Sequence, residues 1–334
     1  IFFFLAFSII ALSVTSIISV NLNEVQKSAL LNSEQRLLSV ENAIISSRLN
    51  KITGDLLFIT DSFKLNDNEN ADYSELEKEW VAFSNRRMIY DQIRFIDTAG
   101  NEIIRVNYGS GGASLVDKEH LQNKNDRYYF TDTINLKEDQ IYISKLDLNV
   151  ENGEIEQPIK PMIRISMPCF DQNGELKGII VLNYLANDLL SQVKQISLSG
   201  NGEIYMLNSD GYWLFDSQNS DNEWAFMYDD KADISFKNRY PDEWNEMQKS
   251  ADGYEINKDG VFLHSKIITG QEFSITHSDY SFVLGAGDWI LVSHMPAGSE
   301  NGMLFTQSFG RVLLRLLREN MILYISLLAI ALVI

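Results

Sequence analysis

Met167-Pro168-Cys169-Phe170-Asp171-Gln172-Asn173-Gly174-Glu175-Leu176-Lys177-Gly178-Ile179-Ile180-Val181-Leu182 reads as a strand, a tight turn and a returning strand. The apolar run stops at Asp171, whose side chain can accept hydrogen bonds from the backbone just ahead of it. Gly174 supplies the positive φ that closes such a turn. The same device occurs twice more. Gln92-Ile93-Arg94-Phe95-Ile96 enters Asp97-Thr98-Ala99-Gly100-Asn101 and returns as Glu102-Ile103-Ile104-Arg105-Val106. Glu203–Leu207 enters Asn208-Ser209-Asp210-Gly211 and returns as Tyr212–Phe215. Three hairpin signals of this kind predict antiparallel sheets. Further strands are predicted at Val261–Ile268, Ser281–Leu284 and Trp289–His294.

Upstream of the hairpins the period changes. Ile45, Leu49, Ile52, Leu56, Ile59 and Phe63 recur in alternating steps of four and three, a heptad-like seam on a helix over roughly residues 21–63. Gly54 interrupts it at modest cost. Such a seam packs either on the protein's own domains or on a second copy of the chain. Residues 66–75 are polar and read as a loop, followed by a short helix holding Leu76, Trp80 and Phe83. Another short helix, Asp188–Ile196, runs into Ser197-Leu198-Ser199-Gly200-Asn201-Gly202 and sets a boundary between two α+β units near residues 188–200.

At the outer ends, residues 1–20 carry no charge and have the length of a membrane span. They lack an A-x-A-like cleavage site, which argues against a signal peptide. Residues 321–334 are again apolar and are expected to be part of a second span, both spans being truncated. Arg311, Arg315 and Arg318 lie on one face of the preceding segment, which suits a connecting stalk or an interfacial helix. Positive charge flanking a span usually marks the cytoplasmic side, but that rule is weak for long translocated domains.

Composition narrows the function. With 45% hydrophobic residues the chain can bury a sizeable core, and its formal net charge of -18 disfavours nucleic-acid binding. Its single cysteine, Cys169, sits in an apolar stretch and reads as core. There is no H-E-x-x-H, G-x-S-x-G, P-loop, C-x-x-C or G-x-G-x-x-G motif, and the four histidines show no metal spacing. The chain is therefore expected to be no enzyme and to need no cofactor or metal. Trp213, Trp224, Trp244 and Trp289 read as core rather than as an aromatic-lined cavity. The acidic stretch Asp216–Glu223, with Asp229, Asp230 and Asp233, reads as a solvated loop because the EF-hand pattern is absent.

Several stretches carry a resemblance: Leu121-Gln122-Asn123-Lys124-Asn125-Asp126-Arg127-Tyr128-Tyr129-Phe130, Tyr142-Ile143-Ser144-Lys145-Leu146-Asp147-Leu148-Asn149, Pro161-Met162-Ile163-Arg164, and Gly178-Ile179-Ile180-Val181-Leu182-Asn183-Tyr184. So do Gly202–Tyr212, Glu223-Trp224 with Phe226, and Trp289–Pro296. In order and spacing they resemble the double-Cache, or double PAS-like, sensor domains of bacterial histidine kinases, chemoreceptors and diguanylate cyclases, with the kinase-type branch nearest. The resemblance implies an α+β fold. A stalk helix (21–63) is followed by a membrane-distal module (64–190), a membrane-proximal module (191–305), a juxtamembrane helix (306–320) and the spans at either end. It implies a bacterial cell-membrane receptor whose sensor region lies outside the cytoplasm, a homodimer, and an output domain elsewhere.

The resemblance also implies a ligand site in the first module. Amino-acid-sensing members hold the ligand carboxylate with an Arg and an aromatic two residues later, which here are Arg127 and Tyr129. A guanidinium suits that role because it forks onto a carboxylate. Tyr142 and Asp147 are candidates to line the pocket. Asn149 and Asn183 stand where those members carry ammonium-binding Asp residues. Losing both charges shifts the expected ligand toward a carboxylate or another small polar molecule without an amine. Arg164 lies in an apolar strand, where an unpaired charge is costly, so it is a pocket or ion-pair residue. Lys124 reads as surface. Two other readings compete: a membrane-anchored hydrolase with catalytic groups converging in a cleft, and a contact sensor whose distal pocket is filled by its own side chains.

Overall fold

The computed structural model describes residues 2–66, 72–151, 153–267, 280–285 and 287–307, with isolated helical positions between 318 and 329. Helix α1 (Phe2–Asn66) is one element of 65 residues, about 98 Å long at ~1.5 Å per residue. Its seam residues Ile45, Leu49, Ile52, Leu56, Ile59 and Phe63 are all fully buried. They share one core with apolar residues of both sheets. Of the two partners that the spacing allowed, the chain's own sheets fill this seam. Each such side chain contributes roughly 1.5–3 kcal/mol by leaving water.

The first unit opens with α2 (Ser74–Arg87), whose Leu76 and Trp80 are buried as expected. Its main strands are β1 (Tyr90–Asp97), β2 (Glu102–Gly109), β3 (Gly112–Leu115), β4 (Gln140–Ile143), β5 (Asp147–Leu148), β8 (Pro161–Phe170) and β9 (Leu176–Leu185). A two-stranded ribbon, β6 (Val150–Glu151) and β7 (Glu154–Ile155), and the short helix α3 (Tyr128–Thr133) lie between them. Helix α4 (Asn187–Ser197) leads into the second unit, close to the expected boundary.

The second sheet contains β10 (Glu203–Leu207), β11 (Trp213–Asp216), β12 (Asp252–Asn257), β13 (Gly260–Ile267) and β15 (Trp289–Pro296), in the order β11-β10-β15-β13-β12. Helices α5 (Phe236–Arg239) and α6 (Pro241–Met247) join it, and α7 (Glu300–Thr306) follows β15. All four tryptophans of this unit are buried. Trp213 and Trp244 pack with Tyr205, Phe236 and Phe262, so they are core. Cys169 is buried in β8.

Strand β14 (Ser281–Leu284) departs from expectation. It forms where the sequence places it, inside the span 191–305, yet it does not join the second sheet. It pairs in parallel with β4, at the edge of the first sheet, whose order is β14-β4-β8-β9-β1-β2-β3. The two units thus share a strand, and one pairing is parallel where all were expected antiparallel.

Residues 2–20 are the first turns of α1. Among the described residues no helix is long and apolar enough to cross a membrane. The segments expected to form a juxtamembrane helix and a second span lie almost wholly outside the described residues.

Candidate functional site

Side chains alternate between the two faces of a strand. On the first sheet one face, with Ile93, Phe95, Ile163, Ile165, Ile180 and Leu182, meets the core under α1. The other face is polar in the middle. Register partners show which residues share it: Arg94 lies opposite Arg105, Gln92 opposite both Asn107 and Asn183, and Arg164 opposite Asn183. At the end nearest β4 the face turns apolar, with Ile96, Tyr129, Phe130, Tyr142, Ile179 and Val181 packed together.

Two guanidiniums organise the polar part. Arg164, 3% exposed, donates from Nη1 to Asp147 Oδ1 (2.8 Å) and to the Tyr128 hydroxyl (3.0 Å), and from Nη2 to Asn149 Oδ1 (3.1 Å). Asn149 passes the chain on, donating to Glu156 at 2.8 Å. Burial opposes the Arg164 charge, but Tyr128 and Asp147 beside it hold the proton more firmly than in a free arginine. Burial also pushes the Tyr128 phenol up to about 12. Arg94, equally buried, donates from Nη1 to the Tyr129 hydroxyl (2.8 Å) and from Nη2 to Asn183 Oδ1 (2.6 Å). Asn183 in turn donates to Gln92 at 3.3 Å.

Both guanidiniums lie over one ring. Their Cζ atoms are 4.9 Å (Arg94) and 5.6 Å (Arg164) from the centre of Tyr129. The Nε–H of each is buried and finds no acceptor among the described residues. Burial alone would raise the Tyr129 pKa, but Arg94, Lys124 and Arg164 outweigh it and pull the phenol below its ordinary value. Lys124 is half-buried rather than a surface residue, and desolvation lowers its own pKa. Against Arg94, Arg105, Arg164 and Lys124 stand two buried carboxylates, Glu102 and Asp147. The balance is cationic, which suits an anion. A cleft of about 570 Å³ opens beside this face; Gln92, Arg105, Asn107 and Lys160 border it together with the carboxylates of Asp91, Glu151 and Glu156, while Arg94, Arg164 and Tyr129 are not among its lining.

Of the residues singled out from sequence, Tyr129, Asp147, Asn149, Arg164 and Asn183 come together here. Tyr142 stands at the apolar end, its hydroxyl donating to Asp132 at 2.8 Å. Arg127 does not join them. It is the half-exposed residue that precedes α3, and among the described residues no hydrogen bond or ion pair is formed by its guanidinium. Sequence reasoning passed over Arg94, Arg105 and Glu102. The signal for the two arginines was a polar residue two positions away on the same face of each strand, Gln92 beside Arg94 and Asn107 beside Arg105, a pattern that also describes a solvent-facing side.

Among solved structures the chain is similar to a domain of a sensory box/GGDEF family protein from Vibrio parahaemolyticus, with TM-score 0.64 and 20% identity, over 81% of this chain and 97% of that one. It is similar to the extracellular domain of the histidine kinase vpHK1S-Z8, with TM-score 0.64 and 19% identity, over 86% and 98%. It is also similar to the ligand-binding domain of the Campylobacter jejuni chemoreceptor Tlp3 in complex with 4-methylisoleucine, with TM-score 0.56 and 8% identity, over 85% and 96%. These likenesses concern the fold. A search of curated proteins finds no match. The sequence itself fits the family model of the bacterial histidine kinase sensor domain over residues 23–276, a stretch that takes in the α1 seam, the whole first unit and most of the second. The chain therefore belongs to the bacterial histidine kinase sensor domain family.

Proposed function

We propose that this chain is the extracytoplasmic sensor region of a bacterial transmembrane receptor, and that its first, membrane-distal unit binds a small anionic ligand on the face built by Arg94, Arg164 and Tyr129. A member of a sensor family needs no catalytic step of its own, and output falls to a cytoplasmic kinase or cyclase domain. The uncharged segment 1–20 and the apolar segment 321–334 are the membrane anchors in this reading, and the receptor works as a homodimer. The observation that carries the ligand reading is the pair of buried guanidiniums on one aromatic ring, each keeping an unsatisfied Nε–H. An unpaired buried donor on a charged group is costly, and a ligand carboxylate would satisfy both. Tyr142, Asp147, Asn149 and Asn183 complete the lining, with Arg127 at the rim. The Tlp3 domain is complexed with an amino-acid derivative. In this chain the ammonium-facing positions are Asn149 and Asn183, so a carboxylate without an amine is the better fit.

A thermal-shift screen of the full chain against mono- and dicarboxylates, amino acids, amines and sugars tests this. A ligand that binds only the folded state raises Tm by mass action. The expected result is a carboxylate hit that disappears with Arg94→Gln and weakens with Arg127→Ala. A hit confined to amines or sugars, or one indifferent to Arg94, would overturn the reading. A folded chain with no hit at all would favour sensing by contact with another protein, since Tyr129 already packs over the guanidiniums.

A further inference from the structure

We propose that β14 is a coupling strap: it reports the state of the ligand face in the first unit to the sheet of the second. The observation is one of connectivity and packing. β14 belongs by sequence to the second unit, between β13 and β15, yet it completes the edge of the first sheet. Its ladder with β4 is anchored at both ends, by Ser281 N–H to Asp139 O (2.9 Å) and Gly285 N–H to Ile143 O (2.8 Å).

Its side chains divide between the two faces. Phe282 and Leu284 pack on the core under α1, beside their register partners Ile141 and Ile143. Val283 packs on the other side, with Tyr129, Tyr142 and Phe130 at the apolar end of the ligand face. Tyr142 is its register partner. The chain then turns at Gly285, where a side chain would overlap the Tyr142 hydroxyl. No residue larger than glycine fits without moving Tyr142.

The other end of the strap is short. Four residues separate Leu284 from Trp289, the first residue of β15. β15 is the central strand of the second sheet. Its Ser293 donates to the buried carboxylate of Glu34 on α1 at 2.6 Å, and its end leads directly into α7. A displacement of Tyr129 or Tyr142 therefore meets Val283 first. So short a tether passes it to β15, and from there to α1 and α7. Packed elements shift between discrete arrangements rather than deforming smoothly, which suits such a relay.

Hydrogen–deuterium exchange on the full chain tests the strap without any ligand. Tyr142→Ala loosens the face against Val283. The expected result is faster exchange in β4 and β14 and also, by roughly tenfold, in β15 and α7. The second arm adds Val283→Pro, which breaks the middle of the parallel ladder, or Val283→Ala if the proline variant does not fold. In either background the effect of Tyr142→Ala should stop at β4. Unchanged exchange in β15 and α7 when β4 and β14 accelerate would overturn the proposal. So would an effect on β15 that persists once Val283 is replaced.

Discussion

Arg94 and Arg105 are direct register partners on adjacent antiparallel strands, so two like charges face each other on a buried surface. Like charges placed opposite one another destabilise a sheet. Glu102 resolves the conflict, with Oε1 3.5 Å from Arg94 Nη1 and Oε2 3.5 Å from Arg105 Nη1. Glu102→Gln is expected to destabilise the fold by about 3 kcal/mol, the cost of leaving a buried charge without its partner. It should also tighten binding of an anion on the same face. Urea unfolding and anion titration, run on one preparation, read the two opposite signs; a variant weaker in both would refute the assigned polarity of the site.

Tyr129 sits among Arg94, Lys124 and Arg164, which hold its phenol below the ordinary value despite burial. Ultraviolet titration should show one tyrosine ionising ahead of the rest, and Tyr129→Phe should remove that early step. An anion bound on the face offsets the cations and should move the step to higher pH. The hydroxyl also accepts from Arg94 at 2.8 Å, so Tyr129→Phe is expected to cost about 1–2 kcal/mol.

Glu34 ties three pieces together. Its side chain is buried on α1 and accepts from the backbone N–H of Asn201 (2.7 Å), from Asn201 Nδ2 (2.9 Å) and from Ser293 (2.6 Å). Glu34→Ala strands these donors and should cost about 3 kcal/mol. The loss should appear as faster amide exchange at Asn201–Glu203 and along β15, with β1, β2 and β9 unaffected.

Glu41 lies on the same helix with one carboxylate oxygen buried and unpaired. Burial raises its pKa above the ordinary 4.5, with Arg48 pulling weakly the other way. The folded state therefore holds this proton more tightly than the unfolded state. Its contribution is complete below the unfolded pKa and is lost as pH rises through the folded pKa. Glu41→Gln copies the protonated form. It should raise Tm near neutral pH by roughly 2–4 °C and flatten the decline in stability above pH 4.5. Melting curves from pH 4 to 8 on both proteins decide the matter.

Local chemistry was legible in the sequence. Asp97, Asp171 and Asn208 each accept backbone N–H groups in the turn they open. Gly100, Gly174 and Gly211 each take positive φ, between 81° and 87°. The α1 seam was legible because a helix that buries one stripe must repeat it. The pairing of β14 with β4 was not, since a parallel contact between strands some 140 residues apart leaves no local mark. Arg94 was hidden for a related reason. Polar side chains such as Gln92 and Arg94 at alternate positions of a strand signal a wet face, and only the layer of α3 and its flanking loop over the sheet makes that face dry. The resemblance pointed instead to Arg127, one residue outside α3.

The burial of Cys169, the only thiol in the chain, has a practical side. Reagents that modify accessible sulfhydryls should find almost nothing to react with in the folded protein. Cysteines introduced at exposed α1 positions such as Val25, Val40 or Ile44 would then report on their own surroundings against a silent background. Cross-linking at these positions would test the proposed homodimer, and its absence at all of them would count against two copies meeting along this helix.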